Sequence, residues 1–138
     1  MEQLMSFELA CLYASMVLAL VHLTAASFTF KAQVGNRYSV GPRDEDLRPT
    51  GVAARLDRAQ RNFLETFAVF VAAVLMLEIL ERTGPLSAWG AGIYVAGRIL
   101  FLPFYAWGVP WLRTFSWNAA TLGLALTMVQ VLIRPAVD

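Results

Sequence analysis

The sequence predicts an all-α integral membrane protein, a four-helix transmembrane bundle. Three observations carry this. Of its 138 residues, 58% are hydrophobic, above the apolar share of ordinary globular domains. These residues collect in four long stretches with few formal charges. The segments between the stretches are rich in glycine, proline and charge, the residues that end helices and form turns. The length suits one domain over 1–138, with spans near 5–31, 52–81, 85–107 and 114–134 and a first polar loop near 32–51.

No formally charged residue occurs from Leu9 to Phe30, which meets the roughly 20 residues a span requires. This stretch has no basic leader and no small-residue cleavage site, so it reads as a retained span rather than a signal peptide. Cys11, the sole cysteine, reads as a small apolar filler, and His22, the sole histidine, as an interhelical hydrogen-bonding residue. One cysteine and one histidine supply neither an internal disulfide nor a multi-ligand metal site. Lys31 to Arg55 reads as a polar loop with breaks at Gly35-Asn36-Arg37, Gly41-Pro42 and Pro49-Thr50-Gly51, and Thr50 as the N-cap of the second helix. The apolar run Thr66–Leu77 is too short to span alone, so the second helix must begin near Val52 and carry charges with it.

Between Leu86 and Leu112 the only charge is Arg98, and between Thr114 and Ile133 there is none. The links at Glu81–Pro85 and Gly108–Arg113 are short and predict antiparallel neighbours. Pro103 predicts a kink, and Gly90, Gly92 and Gly97 predict close helix packing. Trp89, Trp107, Trp111 and Trp117 fall near span ends, as in an aromatic belt. Lys31, Arg37, Arg43, Arg48 and Arg55 precede the second span and Arg113 lies in the third link, against Arg82 and Arg134 on the other side. The positive-inside rule then puts the first and third links in the cytoplasm and both termini outside.

Arg58, Arg61, Asn62 and Glu65 recur at helical spacing and share one face as the chain enters its second apolar run. An unpaired Arg98 in mid-span would cost about 2.5–3.5 kcal/mol. Glu65 and Glu78 are the only acids deep enough inside the spans to be plausible partners, so an Arg98–Glu65 clasp joining the second and third helices is expected, with Arg61 also in reach of Glu65. The same groups suit an anionic ligand, because the planar guanidinium fork matches a carboxylate. Tyr105 follows Arg98 by two helical turns, and Arg113 comes near the same end. The net charge of +1, spread over loops, argues against nucleic-acid binding. No Ser-His-Asp set, phosphate loop or metal-ligand spacing is found, which disfavours hydrolase, nucleotide-binding and metalloenzyme readings. The absence of a broken-helix pair disfavours a secondary transporter.

The stretch Arg58-Ala59-Gln60-Arg61-Asn62-Phe63-Leu64-Glu65 resembles the R-A-x-R-N-x-x-E signature of the MAPEG family, the membrane-associated proteins of eicosanoid and glutathione metabolism. Gly97-Arg98 and Arg113-Thr114 support the resemblance, which covers nearly the whole chain. It implies a bacterial-type member in the inner membrane, assembled as a homotrimer, with glutathione as cosubstrate in a cytoplasm-facing cleft between subunits and no metal. By resemblance Arg58, Arg61, Asn62, Glu65, Arg98, Tyr105 and Thr114 hold glutathione, and Arg113 is the catalytic arginine beside its sulfur. Lys31 loosely matches a basic residue at the end of the first helix. Phe101 stands where some members carry histidine, Trp117 where some carry tyrosine, Thr114 where some carry serine, and Gln60 where some carry a basic residue. The implied function is transfer of glutathione to, or reduction with it of, a lipophilic small molecule arriving from the lipid bilayer. The alternative is a non-catalytic membrane protein whose Arg/Glu cluster holds the bundle and trimer together, or which only binds a thiol ligand.

Overall fold

A computed structural model describes residues 4–134. They form four helices and no strand: α1 (Phe7–Val40), α2 (Gly51–Ile79), α3 (Pro85–Ala106) and α4 (Pro110–Leu132). Each is long and apolar enough to cross a membrane, and the chain is an integral membrane protein built as a four-helix bundle. Helices α2 and α3 form the middle. Each touches both α1 and α4, which do not touch one another.

Local chemistry explains where the helices begin. The Ser6 side chain caps α1 by accepting from the Leu9 amide at 3.1 Å. Prolines open α3 and α4, where the missing N–H costs no helical bond. Thr50 does precede α2, but its side chain caps nothing. Its backbone is instead held by Gln33, whose Nε2 donates to Thr50 O at 2.8 Å while its Oε1 accepts from Thr50 N at 3.1 Å.

The first polar segment departs from expectation. Helix α1 does not stop near Lys31 but resumes after Gly35 and runs to Val40. Gly35 has φ 82° and ψ 168°, a conformation nearly restricted to glycine, so it interrupts the helix without ending it. The connection that remains folds back on this extension: Tyr38 Oη accepts from the Leu47 amide at 2.8 Å. Helix α4 also starts earlier than its apolar run, at Pro110, so Arg113 and Thr114 lie in its first turns.

In a bilayer, helices associate through close packing and hydrogen bonds rather than through exclusion of water. The α3–α4 contact is the tightest. A Cβ on Gly123 would lie 2.5 Å from both Gly90 O and Tyr94 N, and one on Gly97 would lie 2.8 Å from Ser116 O. Beside this seam Cys11, Leu12, Phe70, Val74, Ala91, Tyr94, Ala120 and Leu124 form the apolar core. Two carboxylates tie the end of the bundle away from the 41–50 connection. Glu78 of α2 accepts from Ser6, and buried Glu8 of α1 accepts from Ser87 in the first turn of α3. At the same end Arg82 donates to Val131 O at 2.6 Å, satisfying a carbonyl of the last turn of α4.

Candidate functional site

Arg98 is fully buried between α2 and α3. The expected clasp with Glu65 does not form. Nη1 of Arg98 donates to Asn62 Oδ1 at 2.8 Å, and Nη2 donates to Thr66 Oγ1 at 2.6 Å and to Asn62 O at 3.4 Å. Asn62 and Thr66 stand one helical turn apart on the face of α2 turned toward α3, whereas Glu65 lies on the exposed side. Ring faces complete the surroundings: the guanidinium carbon is 5.0 Å from the Phe101 centroid, 5.9 Å from Tyr94 and 6.0 Å from Phe63. Neutral acceptors and aromatic quadrupoles thus take the place of a counter-ion.

The hydroxyl of Thr66 has one proton and two lone pairs. It donates to Phe63 O at 3.2 Å and accepts from Arg98, so the Tyr94 hydroxyl at 3.1 Å is the donor of their shared bond. Tyr94 stacks on Phe70 at 4.1 Å, which joins this polar knot to the core. His22 does not make the interhelical hydrogen bond expected of it. Its ring stacks on Phe63 at 4.7 Å, and neither nitrogen has a partner among the described residues.

Toward the 41–50 connection the knot opens into a groove of about 240 Å³ lined by Asn62, Phe101, Tyr105, Arg113, Thr114 and Trp117. Three helices contribute to it. Arg113 lies with its guanidinium carbon 4.8 Å from the Tyr105 ring centroid, and Phe101 meets Tyr105 edge-on at 5.3 Å. The Thr114 hydroxyl donates to Pro110 O at 2.8 Å, so its lone pairs remain for another donor. Trp117, assigned from the sequence to the aromatic belt, is a wall of this groove. Nearby, Arg55 Nε donates to Ala106 O at 2.9 Å and holds the end of α3 against α2.

Arg58, Arg61 and Glu65 are exposed on α2 and do not line this groove. Arg61 does not pair with Glu65. It meets Asp57 one turn back at 3.0 Å with its side chain 76% exposed. Arg58 and Arg61 line a second, polar cavity of about 540 Å³ between α1, α2 and the 41–50 connection, together with Arg43, Asp46, Arg48 and Asp57. The structure therefore brings Asn62, Tyr105, Arg113 and Thr114 together, places Arg98 behind them and puts the remaining charges on a neighbouring face.

Thr66 and Asp57 escaped sequence reasoning. Thr66 follows Asn62 by one turn, a spacing that marks it once Arg98 is known to need neutral acceptors. A larger groove of about 580 Å³ at the opposite end, between Phe7 and α3, is lined by apolar residues and offers no comparable chemistry. No group of three or more His, Cys, Asp or Glu residues that could hold a metal ion is present among the described residues.

No curated protein and no solved structure matches the chain. The family model described as MAPEG family matches residues 8–133, which include the four helices except Phe7 and every side chain lining the two cavities beside the 41–50 connection. The chain belongs to the MAPEG family.

Proposed function

We propose that the protein is a glutathione-dependent membrane enzyme that transfers glutathione to a lipophilic electrophile, or reduces a lipophilic peroxide with it. The observation that carries this reading is the groove where the Asn62 amide and the Arg113 guanidinium converge beside Tyr105. A free thiol has a pKa of about 8.5 and reacts only as thiolate. A guanidinium at the sulfur favours the anion, so Arg113 is assigned to the thiol. Asn62, Tyr105 and Thr114 are assigned to the peptide. The thiolate then attacks an electrophilic carbon of an apolar partner that enters laterally from the bilayer and displaces its leaving group as an anion; with a hydroperoxide it takes the terminal oxygen, releasing the alcohol, and a second glutathione converts the sulfenic acid to disulfide and water. The protein supplies position and charge rather than a covalent nucleophile.

The outward charges extend the reading. Glu65 stands 14 residues into α2, about 21 Å along its axis, exposed and with no ion pair among the described residues. Lipid tolerates such a group poorly. That exposure favours a homotrimer in which a second copy covers this face and glutathione lies between subunits, its carboxylates on Arg58 and Arg61 and its amino group on Glu65. The loop end faces the cytoplasm under this proposal, with both termini outside the bacterial inner membrane. A role confined to holding the bundle fits Arg98 but not Arg58, Arg61 and Glu65, which are exposed on α2.

Thermal unfolding in detergent tests the reading. Millimolar glutathione is expected to raise Tm in the wild type and not in Arg61→Ala; at a hundredfold excess over Kd the stabilisation is about 2.7 kcal/mol. Arg113→Ala is expected to retain the shift but lose about tenfold or more in conjugation of a chloronitrobenzene. Unchanged turnover in Arg113→Ala would remove that residue from the chemistry.

A further inference from the structure

We propose that Arg98 is a positioning residue that makes Asn62 an obligate hydrogen-bond donor toward the groove, so that this position reads a carbonyl or carboxylate oxygen of the bound peptide. The inference deepens the proposed function and rests on it. A guanidinium has donors and no acceptor. The Asn62 atom facing Arg98 at 2.8 Å must therefore be the amide oxygen, which settles the orientation of a side chain that could otherwise stand either way round. The second bond, to the Asn62 carbonyl, and the third, to Thr66, lock the fork on two consecutive turns of α2.

Arg98 is fully buried and is not among the residues lining the groove, whereas Asn62 is. With Oδ1 committed to Arg98, the Nδ2 group is the part of Asn62 left for a ligand, and no hydrogen bond of Nδ2 is made among the described residues. The two N–H donors of Asn62 then stand in one groove with the Arg113 guanidinium, and this pair favours an oxygen acceptor at the Asn62 position. The ring faces of Phe63, Tyr94 and Phe101 keep the fork in place without offering it a competing anion.

The test is calorimetric titration of glutathione into the detergent-purified protein and three variants, each checked by thermal unfolding. Arg98→Met leaves Oδ1 unpartnered and frees the amide to turn; its Kd is expected to rise about tenfold or more. Arg98→Lys keeps a donor for Oδ1 and is expected to bind within about threefold of wild type, a rescue that a merely space-filling role would not give. Asn62→Asp keeps the clasp, because its carboxylate accepts from Arg98, but removes both donors. It is expected to fold, with Tm lowered by no more than a few degrees, while losing affinity about tenfold or more, and this variant decides the matter if Arg98→Met does not fold. Wild-type affinity in Asn62→Asp, or equal affinity in Arg98→Met and Arg98→Lys, overturns the positioning role and leaves the proposed function standing. No glutathione binding by the wild type overturns both.

Discussion

Arg98 carries its charge through the bundle on neutral acceptors and ring faces. A carboxylate partner would have brought a second ion to desolvate, whereas Asn62, Thr66 and the surrounding rings cost less to bury. The bond to Thr66 is therefore worth more to stability than the whole Glu65 side chain. Thr66→Val keeps the shape but removes the nearer acceptor of Nη2 and the partner of Tyr94, and is expected to destabilise the protein by about 1–3 kcal/mol. Glu65→Gln, on the exposed side of α2, is expected to stay within about 0.5 kcal/mol without ligand. Thermal or denaturant unfolding of the two variants in one detergent checks the order. A larger loss in Glu65→Gln would restore the Glu65 clasp.

At the scale of the helices, backbone contact at the α3–α4 seam decides how the groove closes. Phe101 and Tyr105 come from α3, and Arg113, Thr114 and Trp117 from α4, so the separation of these two helices sets the width available to a ligand. Gly123 has backbone atoms where its Cβ would go, and a helix cannot yield there without moving as a unit. Gly123→Ala is expected to cost about 1–3 kcal/mol and to lower glutathione affinity through the displaced α4 residues. Gly92→Ala is the control: its Cβ would meet only the Phe7 ring at 3.5 Å, an ordinary contact, and stability should change little. Equal losses in both would mean that the close approach at the seam does not govern the response.

For the whole molecule, the two ends of the bundle are chemically different. One is tied by Glu8, Glu78 and Arg82 to neighbouring helices, and the other opens into two polar cavities beside the 41–50 connection. Lys31, Arg37, Arg43, Arg48, Arg55 and Arg113 gather toward the open end, which the proposed orientation puts in the cytoplasm. In a Cys11→Ala background, a membrane-impermeant maleimide added to spheroplasts is expected to label Thr83→Cys and not Asp44→Cys. The opposite pattern would invert the protein and put its cavities outside the cell.

The four-helix architecture was legible in the sequence because it depends on one-dimensional quantities: the length of charge-free runs, the breakers between them and the count of basic residues on each side. The signature from Arg58 to Glu65 was legible too, since it is read from residue order and helical spacing keeps those residues within about two turns of α2. Their direction was not. Periodicity shows which residues share a face, but not whether that face meets α3 or points away. Docking of α2 on α3 turned Asn62 and Thr66 inward and Glu65 outward, so that a clasp expected between charges became one between a charge and neutral oxygens. The run past Gly35 to Val40 was hidden for a related reason. A glycine signal reads as an end, and only the contacts of Gln33 and Tyr38 with the returning chain made it an interruption.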